Sequence, residues 1–149
     1  MLGSWRRGAP TIGDIDIVVI TESGELSPNL LDEGVRLPKS FDAQRSGPKV
    51  AQGDLVLPTG ERIHLDVWSC KPNERGGFLC FATGPMELNL MQRKRAIRLG
   101  YALSQIGLLD GTTKRQLDDG TEEDIYRLIE WPWLTPQQRQ RFVNPHKTS

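Results

Sequence analysis

The chain has 149 residues, 37% hydrophobic and 26% charged, with 19 basic and 19 acidic side chains and a formal net charge of zero. That is enough for one ordinary domain or two small lobes with a buried core, in a composition typical of water-soluble globular proteins. Balanced charge excludes a global polycationic attraction to nucleic acid, so any such contact must come from local patches. Cys70 and Cys80 lack Cys-x-x-Cys spacing. They argue against a disulfide framework or zinc site and for buried free thiols. The first ten residues carry Arg6 and Arg7 and no apolar run, and no stretch approaches transmembrane length. A non-secreted setting without a membrane is expected, cytoplasmic or, for a chain acting on DNA, nucleoid or nuclear.

Residues 3–16 read Gly-Ser-Trp-Arg-Arg-Gly-Ala-Pro-Thr-Ile-Gly-Asp-Ile-Asp and run into the β-branched Ile17-Val18-Val19-Ile20. The pattern predicts a strand from Asp14 to Ile20. Alternate residues of a strand share a face, so Asp14 and Asp16 point the same way. Adjacent carboxylates repel unless a cation lies between them, and hard oxygen donors suit Mg2+ or Mn2+. The upstream glycines and Ser4 offer N–H groups and a hydroxyl to a phosphate. A lone Asp-x-Asp is usually a solvated strand end. Its combination here with Gly-Ser and Arg-Arg-Gly favours a metal-plus-phosphate site.

Thr21 to Leu26 reads as a turn, Pro28 to Val35 as a short helix capped by Ser27, and 37–49 as a loop. Leu55–Leu57 and Glu61–Trp68 flank Pro58-Thr59-Gly60, a hairpin signal. In the second arm Ile63, Leu65 and Val67 alternate with His64, Asp66 and Trp68. The first set would face a core, leaving Asp66 as a third carboxylate able to join Asp14 and Asp16 if the strands are neighbours. Residues 71–77 read as a turn and Phe78 to Ala82 as a short strand. Pro85 and Gly100 bracket a helix with Leu88, Met91, Ala96 and Leu99 on its core stripe and Met86, Asn89, Arg93 and Ile97 on another face. Asn89 and Arg93, at i and i+4, can reach one ligand. Arg93, Lys94, Arg95 and Arg98 form a dense cationic run. It is either a solvated face or a phosphate contact. Tyr101 to Leu109 favours strand and turn. Thr121 caps a helix opening on Glu122-Glu123-Asp124.

With these residues set out, the chain resembles the DNA polymerase family X, the polymerase beta-like nucleotidyltransferases, from Gly3 to about Arg141. Four blocks carry the resemblance in family order: Gly3-Ser4-Trp5-Arg6-Arg7-Gly8 with Gly13-Asp14-Ile15-Asp16; Ile63-His64-Leu65-Asp66; Phe81-Ala82-Thr83-Gly84 with Asn89 and Arg93; and Thr121 through Trp133. It implies an α+β fold. A nucleotidyltransferase palm with a mixed or antiparallel sheet would span residues 1–83, and a small α/β thumb would span 84–149. It implies a DNA-directed DNA polymerase of repair or gap-filling type, acting on a primer–template with dNTP by a two-metal mechanism. Asp14, Asp16 and Asp66 would be catalytic and hold two Mg2+ or Mn2+ ions. Gly3, Ser4, Arg7 and Gly13 would bind the phosphates, Phe81 and Gly84 the sugar, and Asn89 the base. Arg93, Lys94 and His64 would touch DNA. A template-independent nucleotidyltransferase and a non-catalytic DNA-binding subunit are the alternatives.

The sequence departs from the family pattern in three residues. His64 stands where an arginine is usual, Ala82 where a large aromatic is usual, and Met86 where a polar residue is usual. The lyase and fingers segments of larger members, and the strand leading into Gly-Ser, have no counterpart in the sequence. A second copy or a partner chain is therefore expected to complete an exposed edge beside the Asp14 strand.

Overall fold

Asp14–Ile20 alternates carboxylate and aliphatic side chains before becoming wholly apolar, and it forms the first strand, β1. The structure, a computed structural model, describes residues 2–9, 14–26 and 41–144, without the side chains of Ser4, Trp5, Phe41, Asp42, Ala43, Arg45 and Ser46. β1 runs parallel to β4 (Arg62–Cys70). β4 is antiparallel to β3 (Val50–Val56), and β3 to β2 (Phe41–Ser46). The result is a mixed four-stranded sheet in the order β1-β4-β3-β2. The expected hairpin joins β3 to β4, closed by Leu57 N–H donating to the Glu61 carbonyl at 2.8 Å. Ile15, Ile17 and Val19 pack with Leu26, Ala51, Leu65 and Val67 in one apolar cluster. Strand alternation therefore leaves Asp14, Asp16, His64 and Asp66 on the other face.

Residues 41–46 are a strand, not loop. Phe-Asp-Ala-Gln-Arg-Ser has no apolar alternation to announce it, and β2 lies at an edge of the described sheet with a register shift between Ala43 and Arg45. An edge strand with a bulge needs little burial. The helix expected over 28–35 lies outside the described residues. A second correction concerns 71–82. Pro72–Glu74 is a 3-10 turn and Arg75–Thr83 is a helix, α2, where a turn and a strand were expected. A short apolar run does not reveal its own period, and Gly76-Gly77 resembles a turn signal. The two glycines serve close approach instead. A Cβ on Gly76 would lie 2.5 Å from the Thr121 carbonyl carbon, and one on Gly77 would run into the Gly107 backbone.

The second half packs α3 (Met86–Arg98), the hairpin β5 (Tyr101–Ser104) and β6 (Gly107–Asp110), and α4 (Glu122–Leu128) around Leu88, Ala96, Leu108, Ile125, Tyr126, Ile129 and Leu134. Thr121 caps α4 as expected, its hydroxyl accepting from Asp124 N–H. Both cysteines are buried free thiols, and burial pushes the Cys70 thiol up to about 11. The core stripe of α3 is shifted from the expected one. Met91 is 45% exposed, while Gln92, one turn from both Leu88 and Ala96, is buried. Among the described residues no helix is long and apolar enough to cross a membrane.

The two halves are tied by ions. Arg6, the last residue of α1 (Gly3–Arg6), places Nη2 2.5 Å from Glu122 Oε1 and Nη1 3.1 Å from Oε2. Arg139, at the end of α5 (Pro136–Arg139), donates Nη1 to Glu122 Oε2 at 2.6 Å and Nε to the Leu134 carbonyl at 3.1 Å. Its guanidinium lies over the Tyr126 and Trp133 rings at 5.1 and 5.2 Å. Glu122 and Arg139 are 5% and 1% exposed. Burial alone would raise the Glu122 carboxyl, but the two guanidiniums outweigh it and hold it below its ordinary 4.5.

Removing one partner leaves a buried charge uncompensated, so Glu122→Gln should cost about 3 kcal/mol by urea unfolding at pH 7. A folded-state carboxyl pKa below the unfolded one adds stability that is complete above pH 4.5 and lost as pH falls below it. The wild-type chain should therefore lose that increment on acidification while Glu122→Gln does not. Parallel pH–stability curves for the two would contradict the assignment.

Candidate functional site

The parallel register of β1 and β4 sets Asp16 opposite Asp66 and Asp14 opposite His64. All four side chains share one sheet face. The Asp16 carboxyl is pushed up to about 6, first by burial and then by the charges of Asp66 and Asp14, with His64 pulling the other way. His64 Nε2 lies 2.9 Å from Asp66 Oδ1, and His64 Nδ1 lies 3.3 Å from Asp54 Oδ1. Burial alone would lower the His64 pKa; its bond to Asp54 and the nearby Asp66 and Asp14 raise it. Asp54 is held below the usual carboxylate range by hydrogen bonds from Arg62 and His64.

The α1 turn lies directly over Asp16. Leu2 N–H donates to the Asp16 carbonyl at 2.7 Å, alongside the outer edge of β1 in the described sheet. Gly3 has φ +63°, and a Cβ there would run into Asp16 Oδ2. Only glycine meets both demands without strain. Arg7 follows, 5% exposed, donating Nη1 to the Thr83 carbonyl at 2.6 Å and Nε to Gln140 Oε1 at 2.8 Å. Burial lowers its pKa against the pull of Glu87 and Asp16.

A second corner adjoins the carboxylates. Trp68, also on β4, meets the Phe81 ring edge-on with centroids 6.0 Å apart. Asn89 Nδ2 donates to the Phe81 carbonyl at 3.0 Å, across the Gly84 turn that joins α2 to α3. A shallow depression is lined by Gly77, Cys80, Phe81, Asn89, Gln92, Arg93, Leu103 and Ser104. Arg93 and Lys94 are exposed on the same helix.

The structure thus brings together Asp14, Asp16, Asp66, His64 and Gly3 in one cluster, and Phe81, Gly84, Asn89 and Arg93 in another. Arg7 bridges them through Thr83. Gly13 and the Ser4 side chain lie outside the described set. Sequence reasoning missed Asp54, whose role depends on cross-strand register, and Glu122 and Arg139, which look like ordinary helix-end charges until burial is known. Carboxylate oxygens are the donor type that suits a hard divalent cation. Three carboxylates share a face, and the Asp16 pKa is raised first by burial and then by the charges of the other two. Among the described residues no three His, Cys, Asp or Glu side chains are grouped closely enough to hold a metal ion as they stand.

A carboxyl whose folded pKa is raised contributes stability at low pH and loses it as pH rises through that value, here from 3.8 to about 6. At pH 7 without divalent ions the charged cluster works against the fold. Asp16→Asn should then stabilise the chain by about 1 kcal/mol after solvent screening, a gain that disappears at pH 4. No gain at pH 7 would contradict the electrostatic reading.

Residues 78–140 match the family profile described as the DNA polymerase beta thumb. The chain is 29% identical over 165 aligned positions to DNA polymerase lambda of Arabidopsis thaliana, covering 92% of this chain and 31% of that protein. It is 25% identical to DNA polymerase lambda of Rattus norvegicus, covering 92% and 28%. It is 23% identical to the repair DNA polymerase X of African swine fever virus, covering 93% and 79%. The chain spans about three-tenths of the two lambda polymerases.

Proposed function

From the premise that this chain is a relative of the family X DNA polymerases, with a polymerase beta thumb over residues 78–140, we propose that it is a DNA-directed DNA polymerase that fills short gaps. The observation that carries the reading is the β1–β4 register, which sets Asp16 against Asp66 with Asp14 on the same face, under the Gly3 turn.

Asp14 and Asp16 would hold two divalent ions, Mg2+ or Mn2+, and Asp66 would join them at the catalytic one; such ions acidify a primer hydroxyl and neutralise the leaving pyrophosphate. Asp66 accepts the proton of the primer 3′-OH at a carboxylate oxygen. The N–H groups of the Gly3–Arg6 turn, with Ser4, Arg7 and Gly13, orient the triphosphate. Phe81 and Gly84 face the sugar, and Asn89 the minor-groove edge of the incoming base. Arg93 and Lys94 bear on the template strand, and His64 on the primer end. A second copy or partner pairing along β1 belongs to the same proposal; light scattering that shows an active monomer would remove that part.

Primer extension on gapped, templated and blunt substrates tests the reading. Gapped and templated DNA should be extended and blunt ends should not, and Asp66→Ala should lose at least about a hundredfold in rate. Extension unchanged in Asp66→Ala would overturn the assignment, and equal extension of blunt ends would favour a template-independent transferase.

Ala82, small beside the sugar, generates a further expectation. One missing contact group in a pocket is worth about ten- to two-hundredfold in discrimination. In single-nucleotide assays, ribonucleotides should be incorporated with correspondingly weaker rejection than by an aromatic-bearing relative. An equally strong dNTP preference would refute this.

A further inference from the structure

His64 stands between two carboxylates with different surroundings. Its Nε2 meets Asp66 Oδ1 at 2.9 Å and its Nδ1 meets Asp54 Oδ1 at 3.3 Å. The sheet produces both contacts. His64 faces Asp54 in register across β3 and β4, and it lies two residues from Asp66 on the same face of β4. The other Asp54 oxygen accepts from Arg62 Nε at 3.0 Å and Gln44 Nε2 at 3.3 Å, which keeps Oδ1 turned toward the ring. An imidazole held at one nitrogen can still turn about its side-chain bonds. Held at both, it has one orientation, and so has the carboxylate bonded to it. Asp66 stands opposite Asp16 in the register of β1 and β4, on the same sheet face. A chain of polar contacts therefore runs Asp54–His64–Asp66, and it ends opposite Asp16 on the neighbouring strand.

We propose that Asp54 is a positioning residue of the carboxylate site: by fixing the His64 ring it fixes the direction of the Asp66 carboxylate beside Asp16. The inference rests on the reading of Asp66 as a divalent-ion ligand. Partners that orient a ligating group through one intervening hydrogen bond typically govern metal affinity by about ten- to a hundredfold. Asp54 touches neither ion nor substrate in this scheme; it acts through His64.

The test is the affinity of the full chain for Mn2+ alone, measured by electron paramagnetic resonance titration, with thermal melts as a check on folding. Asp54→Ala should weaken Mn2+ binding about tenfold, and His64→Ala should do the same. Asp54→Ala added to His64→Ala should cause no further loss, because both act along one path. Glu61→Gln, which removes an exposed acid from the same hairpin, should leave the affinity unchanged. Wild-type affinity in either single variant overturns the proposal, as does an additive loss in the double variant or an equal loss in Glu61→Gln. Parallel primer extension separates this from the polymerase reading. A chain that binds Mn2+ with this Asp54 dependence but extends no primer overturns that reading alone. A chain that extends while Asp54→Ala binds Mn2+ normally overturns this one alone.

Discussion

Glu122 holds two guanidiniums, one from each end of the chain. Arg6 reaches it from the turn over the carboxylates, and Arg139 from the closing helix beneath Trp133. A buried pair of this kind is weak evidence of added stability, because desolvation offsets much of the attraction. Its consequence here is positional. Arg6 also donates to the Thr83 hydroxyl and Arg7 to the Thr83 carbonyl, at the junction where α2 ends. The segment that covers Asp16 is thereby fixed to the helical half of the molecule at three points.

That fixation is what brings two weak features into one site. The sheet alone supplies a row of carboxylates, and burial together with the charges of Asp66 and Asp14 pushes the Asp16 pKa up to about 6. The helical half alone supplies an aromatic, an amide and a cationic helix face. The Gly3 turn, pinned from both sides, closes the space between them, and its missing Cβ is what lets it sit on Asp16. Any change that loosens Arg6 acts on the carboxylates without touching them.

The sequence made the strands of the site legible because their signal is local. Asp14 to Ile20 and Ile63 to Trp68 alternate over a few residues, and alternation dictates which side chains share a face. The α3 and α4 helices were legible through their caps and stops. What was not legible depended on distant partners. Gly76 and Gly77 looked like a turn because the Thr121 and Gly107 backbones they make room for lie thirty or more residues away. Phe41 to Ser46 became a strand only because β3 offered a partner. Gln92 took the place of Met91 because it lies one turn from both Leu88 and Ala96, on the stripe that faces the buried cluster. The residues around the site followed the same division: the aspartates could be read, whereas Asp54, Glu122 and Arg139 are defined by register and burial.

The claim that the Glu122 clamp holds the Gly3 turn over the carboxylates is tested most directly by amide hydrogen exchange in Glu122→Gln at pH 7, under conditions where the variant remains folded. The account predicts that protection falls at Leu2 and Arg7, whose N–H groups bond to the Asp16 and Gly3 carbonyls, while the β3–β4 hairpin keeps its own. Protection at Leu2 and Arg7 equal to that of the wild-type chain would contradict it.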